Sequence, residues 1–172
     1  CIKVIDKYIP AGAYKLTVDN VSRLSVGDNI EIRKPVTEKW IKFMKMDNLV
    51  RDGKAQTWIK AGKFLITERT IAAIDGNIIT LTVPLIDCYD SNYTDDNTTI
   101  VVANNVGRLK QCGVENIRIE SPAQAVNHSK ALYYALRING EDCWAKDINA
   151  METMESIGIG GRRITLQQEN VI

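Results

Sequence analysis

The sequence predicts an all-β protein in two parts: short antiparallel strands over roughly residues 1–102, then stacked coils of a β-solenoid over residues 103–172. Three observations carry this. Ile, Val and Thr number 22, 13 and 12 against only 10 Leu, and β-branched side chains lose little rotamer freedom in a strand and pack well on a pleated surface. The first hundred residues read as period-two runs separated by turn residues. Beyond residue 103, apolar positions recur at an offset of 21 residues.

The chain has 172 residues, 45% of them hydrophobic and 25% charged, with a net charge of +1. That is globular composition with enough apolar material for a core, which excludes a disordered or collagen-like chain. No apolar run reaches the ~20 residues of a membrane helix. A near-neutral balance is unlike the basic stripe of a nucleic-acid binder. The chain starts at Cys1 without Met and stops at Ile172 inside a strand-like segment, so it reads as a piece of a longer protein. Cys1, Cys88, Cys112 and Cys143 form no CxxC pair, which gives no zinc or redox signature.

In the first part, Val4–Ile9, Tyr14-Lys-Leu16-Thr-Val18 and Asn29-Ile30-Glu31-Ile32 read as strands. Arg69–Ile74 and Ile78–Val83 flank Asp75-Gly76-Asn77, a hairpin signal because these residues tolerate positive φ. Pro84 closes the second strand by lacking a donor. An excursion at about 35–63 interrupts the pattern. Thr37–Met44 predicts a turn or two of helix, with Thr37 as N-cap and Trp40, Ile41 and Met44 on one face. Asp52-Gly53 and Ala61-Gly62 mark turns around Trp58. Long excursions often carry function; the plainer expectation is that Trp40, Met44, Met46 and Trp58 plug the module or pack it on its neighbour.

In the second part, Leu136-Arg-Ile138 and Ile157-Gly-Ile159 are offset by 21, as are Cys143 and Ile164. Cys112 and Cys143 are 31 apart, as are Ile117 and Ile148. Ile148 aligns with Val171 at an offset of 23, as though one turn had gained two residues. Short strands and polar turns at such a period make a solenoid whose aliphatic residues form internal ladders. Cys112 and Cys143 are then expected as neighbouring interior residues, a spacing that allows a ladder of two buried thiols, the preferred reading, or with some distortion a disulfide. The last coil is expected to leave Ile164, Leu166 and Val171 for the remainder of the polypeptide, or another chain, to cap.

Gly113-Val-Glu-Asn-Ile-Arg-Ile119, Cys143-Trp-Ala-Lys-Asp-Ile148 and Ser156-Ile-Gly-Ile-Gly-Gly161 followed by Arg163-Ile-Thr-Leu166 resemble right-handed parallel β-helix proteins of the pectate-lyase-like superfamily. Val26–Ile32, Trp40-Ile41, Met46-Asp47, Trp58 and Arg69–Leu85 are similar to the N-terminal part of a group of large uncharacterised bacterial secreted β-helix proteins. The resemblance implies a right-handed parallel β-helix, a secreted or periplasmic location and a polysaccharide or glycan ligand. It includes lyases, hydrolases, tailspikes and adhesins, among which fold does not choose.

A lyase needs a base and a cation to stabilise its carbanion. Lys146, Arg137, Arg162 and Arg163 are candidate cations, and Asp142 and Asp147 candidate cation ligands, although a solenoid turns many such residues to solvent. A polygalacturonase needs aspartates clustered on successive coils, a pattern missing from residues 103–172. The candidates for substrate binding are Trp40, Trp58, Arg162 and Arg163, with Tyr133, Tyr134 and Trp144 as further stacking surfaces. Asp90, Asn92, Asp95 and Asp96 lie in the densest run of oxygen ligands and are the candidates for Ca²⁺; the EF-hand frame fails there, because its sixth position is Asp95 and its twelfth Val101. A polar connector explains the same run through turn preference. His128 is the single histidine, which excludes a multi-histidine metal site within the chain. Gly158–Arg162 lacks the Lys-Ser/Thr of a phosphate loop. Two functions follow: a carbohydrate-active enzyme (polysaccharide lyase or glycoside hydrolase), or a non-catalytic glycan-binding or adhesion protein of tailspike type.

Overall fold

A computed structural model describes residues 1–103, 107–123, 134–154 and 156–171. His128 and the stacking role expected of Tyr133 lie outside the described residues. The chain divides into two compact units, Cys1–Asn104 and Asn105–Ile172, each described by itself.

In the first unit the elements run β1 (Ile2–Lys3), β2 (Tyr8–Ile9), β3 (Lys15–Thr17), β4 (Asn29–Pro35), α1 (Glu38–Phe43), β5 (Val50–Arg51), β6 (Lys54–Ala55), β7 (Phe64–Asp75), β8 (Ile78–Leu81), β9 (Tyr89–Asp90), α2 (Ser91–Thr94) and β10 (Thr99–Val102). Six strands form an antiparallel sheet in the order β1-β10-β4-β7-β8-β3. Its two ends meet. Val4, just past β1, bridges Val18, just past β3, and the Ile5 N–H donates to the Thr17 carbonyl at 3.0 Å. The sheet therefore closes into a barrel, and closure removes the free edges that invite aggregation. Leu16, Val18, Ile30, Ile32, Ile71, Ile79, Leu81 and Ile100 fill it, each almost wholly buried.

The predicted hairpin is β7–β8, with Asp75 paired to Ile78 and Gly76 at φ 54°. The strand expected over Val4–Ile9 is instead broken: Asp6 turns its carboxylate to the Thr17 N–H and hydroxyl, and pairing resumes at β2 with β9. Helix α1 forms as expected, Thr37 accepting from the Trp40 N–H at 3.0 Å. Only Ile41 of the helix is buried. Met44, expected on the packed face, is 49% exposed because the helix ends at Phe43 and Met44 caps it. Trp58 is 77% exposed and so does not plug the barrel; the β5–β6 hairpin before it is exposed throughout.

The second unit is a set of parallel coils built from β11 (Gly113–Glu120), β12 (Leu136–Glu141), β13 (Trp144–Met151), β14 (Ile157–Arg162) and β15 (Thr165–Val171). β11, β13 and β15 make one parallel sheet and β12 and β14 another. Leu136 stands on Ile157 and Ile138 on Ile159, and Ile117 stands on Ile148, the registers read from the sequence. The 23-residue alignment is corrected: Glu169, not Val171, stands on Ile148, and Val171 stands on Ala150. No residues are gained, because the corners themselves repeat. Gln111, Asp142 and Arg163 take φ of 53°, 54° and 53°, and Asn116, Asp147 and Gln168 take 56°, 54° and 57°. Each coil thus bends at equivalent left-handed residues, and these ladders lock the offset at 21 between β13 and β15.

Burial follows the stack. Cys143, Ala145 and Ile148, stacked between the β11 segment on one side and the β15 segment on the other, are buried, whereas Ile117, Ile159 and Val171, on strands with one paired neighbour among the described residues, are exposed. For the same reason Cys112 is exposed and only Cys143 is buried, and both thiols are free. The two cysteines are nonetheless stacked, the Trp144 N–H donating to the Cys112 carbonyl at 3.1 Å.

Gly161 sits at φ 93°, and a Cβ there would run into the Gly140 backbone. Gly161→Ala is expected to destabilise the coils by roughly 1–3 kcal/mol, whereas Gly158→Ala, whose Cβ would meet the Arg137 side chain at ordinary contact distances of 3.5–4.0 Å, should change stability by less than about 0.5 kcal/mol. Urea denaturation followed by circular dichroism checks this; equal midpoints for the two variants contradict it.

Candidate functional site

The alternation of β4 puts Ile30 and Ile32 into the barrel, and the next inward position is Lys34. A lysine on a core row is costly unless its ammonium finds partners. Lys34 finds them at the barrel mouth. Its side chain is 5% exposed; Nζ donates to Asp87 Oδ2 at 2.7 Å and to the Cys88 carbonyl at 2.9 Å. The same ammonium lies 5.2 Å from the centroid of the Trp40 ring and 5.7 Å from that of Tyr89, within cation–π range. Tyr89 is itself buried and its hydroxyl donates to Thr67 Oγ1 at 3.3 Å. Burial pushes its phenol up from the ordinary value, the Thr67 contact acting in the opposite direction.

Around this cation the two short helices raise an aromatic wall. Thr37 ties them together, because its hydroxyl, which accepts from α1, also donates to the Tyr93 carbonyl of α2 at 2.6 Å. Phe43 and Tyr93 then stack with ring centroids 4.3 Å apart at 32°. Asp90 caps α2, its Oδ1 accepting from the Asn92 N–H at 2.9 Å. The result is a cleft of about 190 Å³ lined by Tyr8, Lys34, Trp40, Phe43, Cys88, Asp90 and Tyr93. Tyr8 and Phe43 are each 58% exposed, so aromatic surface faces the opening. A cleft of this size suits one ring-sized group rather than a drug-sized molecule.

Of the residues singled out in the sequence, Trp40 and Asp90 line this cleft, and Trp58 does not. Asp90 and Asn92 are joined in the α2 cap. Asp95 and Asp96 follow in left-handed conformations, and Asp96 pairs with Lys7 at 3.1 Å. Among the described residues no three His, Cys, Asp or Glu side chains converge as a metal cluster. Sequence reasoning missed Lys34, Asp87, Tyr8, Phe43 and Tyr93. The available signal was Ile30-x-Ile32-x-Lys34, a charge placed on a core row.

In the coil unit Arg162 and Arg163 pair with acids, Arg162 nearly buried and Arg163 half-exposed. Glu141, buried, takes Arg163 at 2.6 Å, Arg162 at 3.3 Å and Lys110 at 3.6 Å. Arg163 also grips Asp142 through two hydrogen bonds of 2.5 and 2.7 Å. Burial works to raise the Glu141 carboxyl, but the Arg163 hydrogen bond and the charges of Arg162, Lys110 and Arg163 outweigh it and hold the group below its ordinary value. The Arg163 hydrogen bond holds Asp142 down likewise. Trp144, at the start of β13, donates its indole N–H to Glu115.

No family model matches the chain, and no curated protein matches it. Among solved structures it is similar to the tailspike gp61 of Pseudomonas phage phi297, at 14% identity and a TM-score of 0.48, over 94% of this chain and 31% of that one. It is similar also to the Gp54 tailspike of Acinetobacter baumannii bacteriophage AP22, solved in complex with A. baumannii capsular saccharide, at 12% identity and a TM-score of 0.48, over 99% of this chain and 33% of that one. A third is the tailspike gp49 of Pseudomonas phage LKA1, at 13% identity and a TM-score of 0.38, over 95% and 23%. The chain spans about a third of the length of the first two tailspikes. The parallel β-helix assignment rests on the chain's own strand pairing.

Both carboxyls of the Arg163 cluster are lowered in the folded chain. They therefore contribute stability fully above the ordinary carboxylate range, about pH 4, and lose it as pH falls through their folded values. The coil unit is expected to melt at lower urea concentration at pH 3 than at pH 7. Arg163→Ala should lower the urea midpoint at pH 7 and flatten that acid limb. A variant with the parent's full acid dependence contradicts the assignment.

Proposed function

We propose that the chain is the glycan-binding part of a non-catalytic, tailspike-like β-helix protein, and that the barrel-mouth cleft holds a sugar ring. The observation that carries this reading is the aromatic wall of Tyr8, Trp40, Phe43 and Tyr93 beside the Lys34–Asp87 pair. Sugar rings present apolar C–H faces that stack on aromatic side chains, with hydroxyls left to bond flanking polar groups. Asp90 gives the cleft an acceptor for such hydroxyls, and Lys34, paired with Asp87, gives it a floor without net charge.

The enzymatic reading asks more of the coils. A general acid working near neutral pH needs a raised carboxyl pKa; Glu141 and Asp142 are both lowered and held by arginines, the wrong tuning for that work. A secreted or periplasmic location goes with the binding reading, because structural polysaccharides lie outside the cytoplasm. The exposed Ile159, Leu166 and Val171 suit cover by a further coil of the same polypeptide or by another chain.

Calorimetric titration with maltohexaose, mannohexaose and hexagalacturonate tests the proposal. At least one saccharide is expected to bind, with Tyr93→Ala and Trp40→Ala each weakening it by about tenfold. The chain should release neither reducing ends nor unsaturated uronate. Turnover of any of the three, or undiminished binding by both variants, overturns the reading.

A further inference from the structure

A second aromatic feature stands in the coil unit. Trp144 starts β13 directly beside Gly113 of β11. A Cβ on Gly113 would fall within the Trp144 indole, so the ring lies across the bare glycine backbone. Its Nε1 donates to Glu115 Oε1 at 2.7 Å, on the same strand two residues along. A glycine beneath and a carboxylate at the edge fix the ring flat on the sheet. Ala145, next in sequence, is fully buried, so by strand alternation Trp144 belongs to the outward face, where it stays 37% exposed.

The neighbouring row on that face has matching chemistry. Glu115, Lys146 and Gln167 stand in register on the three strands, spaced by about 4.8 Å. A carboxylate, an ammonium and an amide thus line up beside a fixed indole. No packing need inside the coil explains this: the ring faces away from the core, and a smaller outward residue would spare the glycine.

We infer that Trp144, seated on Gly113 and flanked by Glu115, Lys146 and Gln167, is a pyranoside-stacking subsite on the outer face of the coils. The sugar's C–H face lies on the free side of the indole, and its hydroxyls reach the polar row. The inference deepens the glycan-binding reading and rests on it, but uses different residues from the barrel cleft.

The same three hexasaccharides test it. Trp144→Ala removes the platform. Gly113→Ala keeps the tryptophan but lifts it, because the new methyl meets only a movable side chain; unfolding midpoints establish that both variants fold. Each is expected to weaken saccharide binding by about tenfold. A Trp40→Phe, Trp58→Phe variant leaves Trp144 as the single tryptophan of the three in the chain, and its emission should shift to the blue on saccharide addition. Binding by both coil variants equal to the parent, with emission unmoved, overturns the subsite; if Trp40→Ala still weakens binding, the barrel reading survives. A parent chain that binds none of the three saccharides overturns both.

Discussion

A strand's backbone groups must pair on both sides or face water, and the whole chain is organised around that requirement. The first unit meets it by closure, joining β1 to β3 through Val4 and Val18. The second meets it by stacking, each coil pairing with the next in parallel register. Closure produces a barrel with a mouth, and stacking produces flat outward rows. Both candidate binding features follow from those two geometries.

The barrel mouth is where core logic gives way to polar chemistry. Lys34 occupies an inward position, so burial of its ammonium is fixed by β4 before any ligand is considered. Asp87, the Cys88 carbonyl and two aromatic rings compensate for it. Trp40 is thereby held over the cation and the α1–α2 pair over the opening. A fixed, neutralised floor with a half-exposed aromatic wall is a preorganised arrangement, and preorganisation is what converts weak stacking into affinity.

Much of the fold was legible because strand patterns are local and repeats are self-evident. The Leu136–Ile157 and Ile117–Ile148 registers needed only the spacing of aliphatic residues. The misaligned third step had a physical origin: Glu169 is polar where an aliphatic was expected, and Val171 supplied a false match two residues on. The left-handed corners, carried by Gln111, Asp142 and Arg163 without a single glycine among them, left no compositional trace. The candidate site was less legible still. Trp40 and Asp90 were picked out individually, but their convergence depends on Thr37 bridging two helices distant in sequence. The ion pairs of Arg162 and Arg163 were not legible because a charge count does not reveal a partner, and Glu141 and Asp142 stand 21 residues away from them.

The central claim is that Lys34 organises the cleft without being required for the barrel. The most direct test is the unfolding midpoint and saccharide affinity of Lys34→Met, which replaces a buried cation by an apolar side chain of similar length. The change leaves Asp87 without its partner, which destabilises, but that carboxylate is 41% exposed and can be hydrated. The barrel should therefore still fold with a lowered midpoint, while affinity for the bound hexasaccharide falls about tenfold as Trp40 loses its cation. A variant that binds as the parent does, or one whose barrel no longer folds, would contradict the account.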